Sequence, residues 1–311
     1  MTPNRPAAHV VQLLLPLVIV ALGALPFSVR APLSVQQQTV TVMAAGDISP
    51  DPNVAKADDI ATSDLVLAAD PTAVLTLGDH QYPRGELADY QSPTGYQGSW
   101  GRFKAKTRPS PGNHDYADPA RGAAGYFGYF GALAGDPDQG YYSFDLGAWH
   151  IISLNSNCGA VGAPSCDRDS PQVRWLQADL QANSRPCTLA YWHHPRFSFG
   201  NYSNDSRTQA LWRALDDAGA EIVLSGHDHN YQRWKPLNGA GDLDPNGIRQ
   251  FVVGTGGRSH YALGTPPANV EKSNGDTFGV LQLTLQATGY DWQFIPVAGE
   301  SFTDTGSGTC H

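Results

Sequence analysis

The chain is poor in the features that mark the simplest binding proteins. Its four cysteines, Cys158, Cys166, Cys187 and Cys310, include no C-x-x-C pair, which excludes the paired-cysteine zinc and redox motifs. Lys and Arg total 20 against 29 Asp and Glu, for a net charge of −9, and they nowhere form a run. Nucleic-acid binding by a basic patch is excluded, because such binding needs clustered cations to neutralise phosphates. No internal repeat is visible, and 41% apolar residues with 33 Gly and 23 Pro exclude disorder and coiled coil. What remains is a globular chain of 311 residues, large enough for one sizeable core or two domains.

The first residues read as an address. Arg5 and His9 give a weak positive start, residues 10–25 are almost wholly apolar, and no acidic residue precedes Asp47. The apolar run is about 16 residues, short of the ~20 that span a bilayer. Residues 1–31 are therefore expected to be a signal peptide, the alternative being an uncleaved anchor at the outer face of the membrane; only that anchor would give a stable membrane partner. No cysteine lies there to carry a lipid. Export suits an even set of cysteines. The pairing expected joins Cys158 to Cys166 across a Gly-, Ala- and Pro-containing loop, leaving Cys187 to tie down Cys310. The alternative is four buried free thiols.

Along the body, short apolar runs at 39–45, 73–77, 149–154, 188–192, 221–224 and 250–253 read as buried strands. Residues 54–69, 171–182 and 206–218 carry helical spacing. Ser170-Pro171 offers a cap and a first-turn proline, and Gly219 a helix stop. Residues 279–285 and 290–295 alternate as an antiparallel pair. The class is α/β, with a domain expected over 39–295 and a tail, 296–311, tied by the second disulfide.

Several strands run straight into a glycine and then a metal-ligand type: Gly46-Asp47, Gly78-Asp79 and Gly226-His227. Open α/β sheets bind ligands beyond the carboxyl ends of their strands, so such segments deliver side chains to one rim. With Tyr82, Asn113, His193 and His229 they make a mixed O/N set that suits a pair of first-row metal ions.

Five segments in order, Gly46-Asp47-Ile48-Ser49, Gly78-Asp79-His80-Gln81-Tyr82, Gly112-Asn113-His114-Asp115, Ala190-Tyr191-Trp192-His193 and Gly226-His227-Asp228-His229, resemble the signatures of the calcineurin-like metallophosphoesterases, and within them the purple acid phosphatases. The resemblance implies two packed mixed sheets flanked by helices. It implies one metal held by Asp47, Asp79, Tyr82 and His229, and a second held by Asp79, Asn113, His193 and His227, with Asp79 bridging. Ser49 stands where most of the superfamily has a ligand histidine, and Tyr82 can replace it. A phenolate there implies Fe(III), with Fe(II), Zn or Mn at the second position.

The implied reaction is hydrolysis of a small phosphorylated substrate by a metal-bridging hydroxide, with His114 serving the leaving oxygen and Asp115 orienting it. Residues 197–205 lack the histidines that related enzymes use on substrate, so Asn201, Arg258 and His260 become the candidate substrate contacts. Each candidate has a plainer alternative. Asp47 and Asp79 could cap loops, Tyr82 could pack the rim, and Arg258 and His260 could lie on an ordinary surface loop. His80, His150 and His194 are expected to be structural. A phosphomonoesterase is expected first; a phosphodiesterase or nucleotide-cleaving enzyme on the same core, or a non-catalytic binding module, are the alternatives.

Overall fold

The computed structural model describes Met1, residues 39–53 and residues 58–311. The expected signal peptide and the first turn of the helix expected at residue 54 lie outside the described residues. Among the described residues the chain forms β1 (Val40–Ala45), α1 (Asp59–Ala69), β2 (Ala73–Leu77), α2 (Leu87–Tyr90), β3 (Thr107–Ser110), α3 (Ala124–Phe130), β4 (Tyr142–Leu146), β5 (Trp149–Ser153), α4 (Pro171–Ala182) and β6 (Cys187–Tyr191). It continues with α5 (Gln209–Asp217), β7 (Ile222–Ser225), β8 (Tyr231–Trp234), β9 (Arg249–Val253), β10 (Val270–Asn274), β11 (Gly279–Leu285), β12 (Gly289–Pro296) and β13 (Asp304–Thr309).

The strands make two mixed sheets, ordered β13-β12-β11-β1-β2-β3 and β10-β8-β9-β7-β6-β5-β4. In the second sheet the period-2 alternation of side chains divides two cores. Ile151, Leu189, Tyr191, Leu224 and Phe251 join Val42, Leu75 and Leu283 of the first sheet. Ile152, Ala190, Trp192 and Val223 point the other way, onto Val173 and Leu176 of α4 and Leu211, Trp212 and Leu215 of α5. α4 begins as expected: the Ser170 side chain accepts from Val173 N, with Pro171 in the first turn.

The expected tail is part of this unit. β13 pairs antiparallel with β12 from Asp304 to Thr309, and Gly306 and Gly308 leave room for the rings of Trp292 and Tyr290, which a Cβ would strike. Both expected disulfides are formed, Cys158–Cys166 and Cys187–Cys310, each with Cα atoms 5.5 Å apart. The second closes a separation of 123 residues, a loop length for which chain entropy implies roughly 4–5 kcal/mol. Among the described residues no helix is long and apolar enough to cross a membrane.

β1, β2 and β3 run parallel, as do β5, β6, β7 and β9. At their carboxyl ends Gly46 N of the first sheet donates to Val253 O of the second at 2.9 Å, and within the second sheet Gly226 N donates to His193 O at 3.0 Å.

Candidate metal centre

Several turns that leave this rim carry a polar side chain inward. Asp47, Asp79 and His227 take left-handed backbone conformations, with φ of 60°, 51° and 71°. Left-handed backbone at a non-glycine residue costs about 1–3 kcal/mol and persists where the surroundings over-determine it. The strain here is gathered where the carboxylates and an imidazole meet. Gly78, at φ +85°, is required: a Cβ would lie 2.5 Å from Nδ1 of His193 and 2.8 Å from the Cα of Gly112.

The side chains form two groups. In one, the Tyr82 hydroxyl is 3.1 Å from Asp47 Oδ1, 2.9 Å from Asp79 Oδ2 and 3.1 Å from His229 Nε2. In the other, Nε2 of His193 is 3.0 Å from Asn113 Oδ1, 3.2 Å from His227 Nδ1 and 3.3 Å from Asp79 Oδ2. Asp79 belongs to both. Asp47 and Asp79 are buried, as are His193, His229 and Tyr82.

The surrounding bonds orient these groups. Nδ1 of His193 is 2.8 Å from Leu77 O, a pure acceptor, so Nδ1 carries hydrogen and Nε2 faces the cluster. Ser259 Oγ holds Nδ1 of His229 at 2.7 Å, turning its Nε2 inward. The Asp47 carboxylate accepts from His227 N at 2.8 Å. Ser49 bonds Asp59 at 2.8 Å and faces Ser99 at 3.0 Å, taking no part in the cluster.

Acceptors therefore outnumber protons. The single Tyr82 proton cannot satisfy two carboxylates, and the one proton that Nε2 of His193 can carry is shared among Asn113 Oδ1, His227 Nδ1 and Asp79 Oδ2. Burial first, then Asp79 and Asp47, push the Tyr82 phenol well above its ordinary range. Burial alone would lower His193, but the Asp79 charge outweighs it and lifts His193 to about 9. Burial would likewise raise Asp79, yet His193 holds it below the usual carboxylate range. Burial and then the charge on His193 take His227 down to about 3. Buried carboxylates, phenol and imidazoles converging with the half-buried Asn113 and His227 are the donor chemistry that cations satisfy.

His114 lies at the open edge, its ring 4.1 Å from that of Tyr82. Its Nδ1 is 2.7 Å from Pro83 O, and Nε2 is 4.0 Å from Asp79 Oδ2. Asp115 does not orient it. That carboxylate turns back beneath the rim and accepts from the backbone N–H of Asp79, His80 and Gly112, from Tyr90 Oη at 2.6 Å, and pairs with His80 Nδ1 at 2.9 Å. Asp115 fixes the turn that presents Asp79, and His80, expected to be structural, shares that work.

Of the candidate substrate contacts, Arg258 sets its guanidinium 4.9 Å over the Tyr82 ring, with a buried Nε that has no partner among the described residues. His260 instead lays its ring on Phe278 at 3.8 Å. Asn201 is exposed at a loop tip. Two residues absent from the expected site stand at it: Tyr202 stacks on His227 at 4.0 Å and Tyr261 on His229 at 3.9 Å. Neither belongs to a strand-end signature, so no spacing in the sequence pointed to them. His194, a third imidazole, packs 4.4 Å from His227 with Nδ1 2.9 Å from Ser156 Oγ.

Two mixed sheets flanked by helices, with polar ligands gathered at the carboxyl ends of parallel strands of both, define the metallophosphoesterase class of α/β architecture. The chain belongs to the calcineurin-like phosphoesterase family, whose model matches residues 40–231. Among curated relatives it is 31% identical over 148 residues to purple acid phosphatase 22 of Arabidopsis thaliana, covering 45% of this chain and 32% of that one. It is 28% identical over 222 residues to purple acid phosphatase 15 of the same plant, covering 60% and 40%. The chain thus matches well under half the length of each. The fold is similar to that of purple acid phosphatase PPD1 from yellow lupin seeds, with a TM-score of 0.65 at 18% identity over 87% of this chain and 54% of the other.

Proposed function

We propose that the chain is an exported, dinuclear-metal phosphomonoesterase of the purple acid phosphatase kind. The observation that supports this reading is the double membership of Asp79, one carboxylate in contact with both side-chain groups. In this reading Asp47, Asp79, Tyr82 and His229 hold the first ion and Asp79, Asn113, His193 and His227 the second. Tyr82, as a phenolate, selects Fe(III) at the first position, and Fe(II), Zn or Mn takes the second. Ions so held polarise a phosphoryl oxygen and lower the pKa of water.

The chain's own residues supply the rest. Nδ1 of His114 donates to Pro83 O, so a second proton on Nε2 is the one available to a leaving oxygen. Arg258 contributes a fixed positive charge beside Tyr82, suited to the non-bridging oxygens of a phosphate. The two disulfides support export to an oxidising compartment.

The test is metal analysis together with a chromogenic panel. Two ions per chain and faster turnover of p-nitrophenyl phosphate than of bis(p-nitrophenyl) phosphate are expected. The reverse preference would make the protein a diesterase on the same core, and bound metal without turnover a binding module.

A further inference from the structure

The mouth of the centre is lined by two tyrosines that the ligand scheme does not use. Tyr202 is 50% exposed, the only aromatic among the exposed large hydrophobic residues described, yet it is held firmly. Its backbone N–H donates to Asp228 Oδ1 at 3.1 Å, and the Ser198 hydroxyl bonds the other oxygen of the same carboxylate. Asp228 sits between His227 and His229, so the turn that bears both imidazoles also anchors the loop above them. Ser203, the next residue, is left-handed at φ 61°, a conformation that costs energy at serine. On the other side, Tyr261 N donates to His229 O at 2.9 Å, and Gly264 N donates to Phe199 O at 2.9 Å, tying the two loops together. The rings of Tyr202 and Tyr261 meet edge to face at 5.7 Å.

An exposed aromatic ring fixed by backbone bonds and a strained neighbour, directly over an imidazole of the centre, is a preformed contact surface. Resting on the phosphomonoesterase reading, we infer that Tyr202 and Tyr261 form an aromatic platform that selects phosphate esters whose leaving group is an aromatic ring joined directly to the ester oxygen. Tyr202 reaches His227 by ring contact, so its surface lies within one ring's width of the ligand cluster. That is where the ring of an aryl ester falls when its phosphate is seated at the ligands. A sugar-linked base would reach beyond it, and an alkyl alcohol would offer no π-face to stack.

The test compares dissociation constants of phenylphosphonate and methylphosphonate on the metal-containing protein, with phenyl phosphate and glycerol 2-phosphate as hydrolysable counterparts. The platform predicts that the wild-type chain prefers the phenyl ligand, and that Tyr202→Ala lowers that preference about three- to tenfold while Tyr202→Phe keeps it. The aryl-to-alkyl ratio of kcat/KM should fall in parallel, through KM. A preference that Tyr202→Ala leaves within twofold of wild type overturns the platform and spares the phosphomonoesterase reading. A wild-type protein that binds neither phosphonate and hydrolyses neither ester overturns both.

Discussion

Oδ2 of Asp79 stands 2.9 Å from the hydroxyl of Tyr82, and the same atom stands 3.3 Å from Nε2 of His193. One oxygen thus belongs to both ligand groups. Asp79→Ala is expected to empty both positions and reduce turnover by at least about 10³-fold, whereas a variant in one group only, such as Asn113→Ala, should weaken the second ion first. Metal stoichiometry per chain separates the two; an Asp79→Ala protein that retains one equivalent would contradict the bridge.

On the proposed reading, Tyr82 would decide the character of the first ion. Phenolate on Fe(III) gives a charge-transfer band in the visible, so the iron-loaded protein should be coloured and Tyr82→Phe should lose the band with unchanged circular dichroism. A colourless, fully active protein holding divalent metal alone would reduce Tyr82 to packing against the His114 ring.

His114 donates through Nδ1 to Pro83 O, which on the proposed reading leaves Nε2 for the leaving oxygen. His114→Gln is expected to lower kcat about 10²-fold or more on an ester with a poor leaving group, and much less on p-nitrophenyl phosphate, whose leaving oxygen needs little protonation. Equal losses on both esters would mean that His114 orders the site without serving the leaving group.

Gly78 must remain glycine. The left-handed backbone and a Cβ directed at His193 Nδ1 predict that Gly78→Ala costs about 1–3 kcal/mol or more and displaces the bond to Leu77 O. The midpoint of urea unfolding measures it, and an unchanged midpoint would show that the turn yields freely.

Much of the fold was legible in the sequence because its central strands are buried on both faces. β1, β2, β5, β6, β7 and β9 are short, predominantly apolar and almost wholly buried, and the Gly-Asp or Gly-His pairs after β1, β2 and β7 marked the rim. The strands that escaped notice include all four sheet edges. β3 carries Pro109, tolerable at an edge where a missing N–H faces away from the ladder. β13 is rich in glycine to admit Trp292 and Tyr290, β4 alternates apolar and polar residues over only five positions, and β10 is largely polar. Among the proposed ligands, Asp47, Asp79, His193 and His227 could be read because each lies just past a buried strand, whereas Tyr82, Asn113 and His229 were reached only through the resemblance of their motifs. Asp115 was misjudged because adjacency to His114 in sequence says nothing of the side chain's direction, and Tyr202, Ser259 and Tyr261 approach from loops whose course only the fold determines.

Glu221 gives a pH signature away from the centre. It is almost fully buried, accepts from Thr188 N at 2.6 Å and His311 N at 3.3 Å, and burial raises it from 4.5 to about 7. The unfolded chain releases this proton near 4.5 while the folded chain keeps it to about 7, so the folded state binds more protons between these values. Its contribution to stability therefore falls as pH rises through that window, by about 2–3 kcal/mol in all. Glu221→Gln should flatten that part of the pH profile of unfolding, and parallel profiles for the two proteins would contradict the assignment.

The most direct test of the central claim is the metal content of the purified protein, measured alongside hydrolysis of p-nitrophenyl phosphate before and after exhaustive chelation. The account predicts two ions per chain, loss of hydrolysis as they are removed, and recovery when iron and a divalent ion are restored. Full hydrolysis by a metal-free chain, or a single bound ion at full activity, would contradict a centre bridged by Asp79.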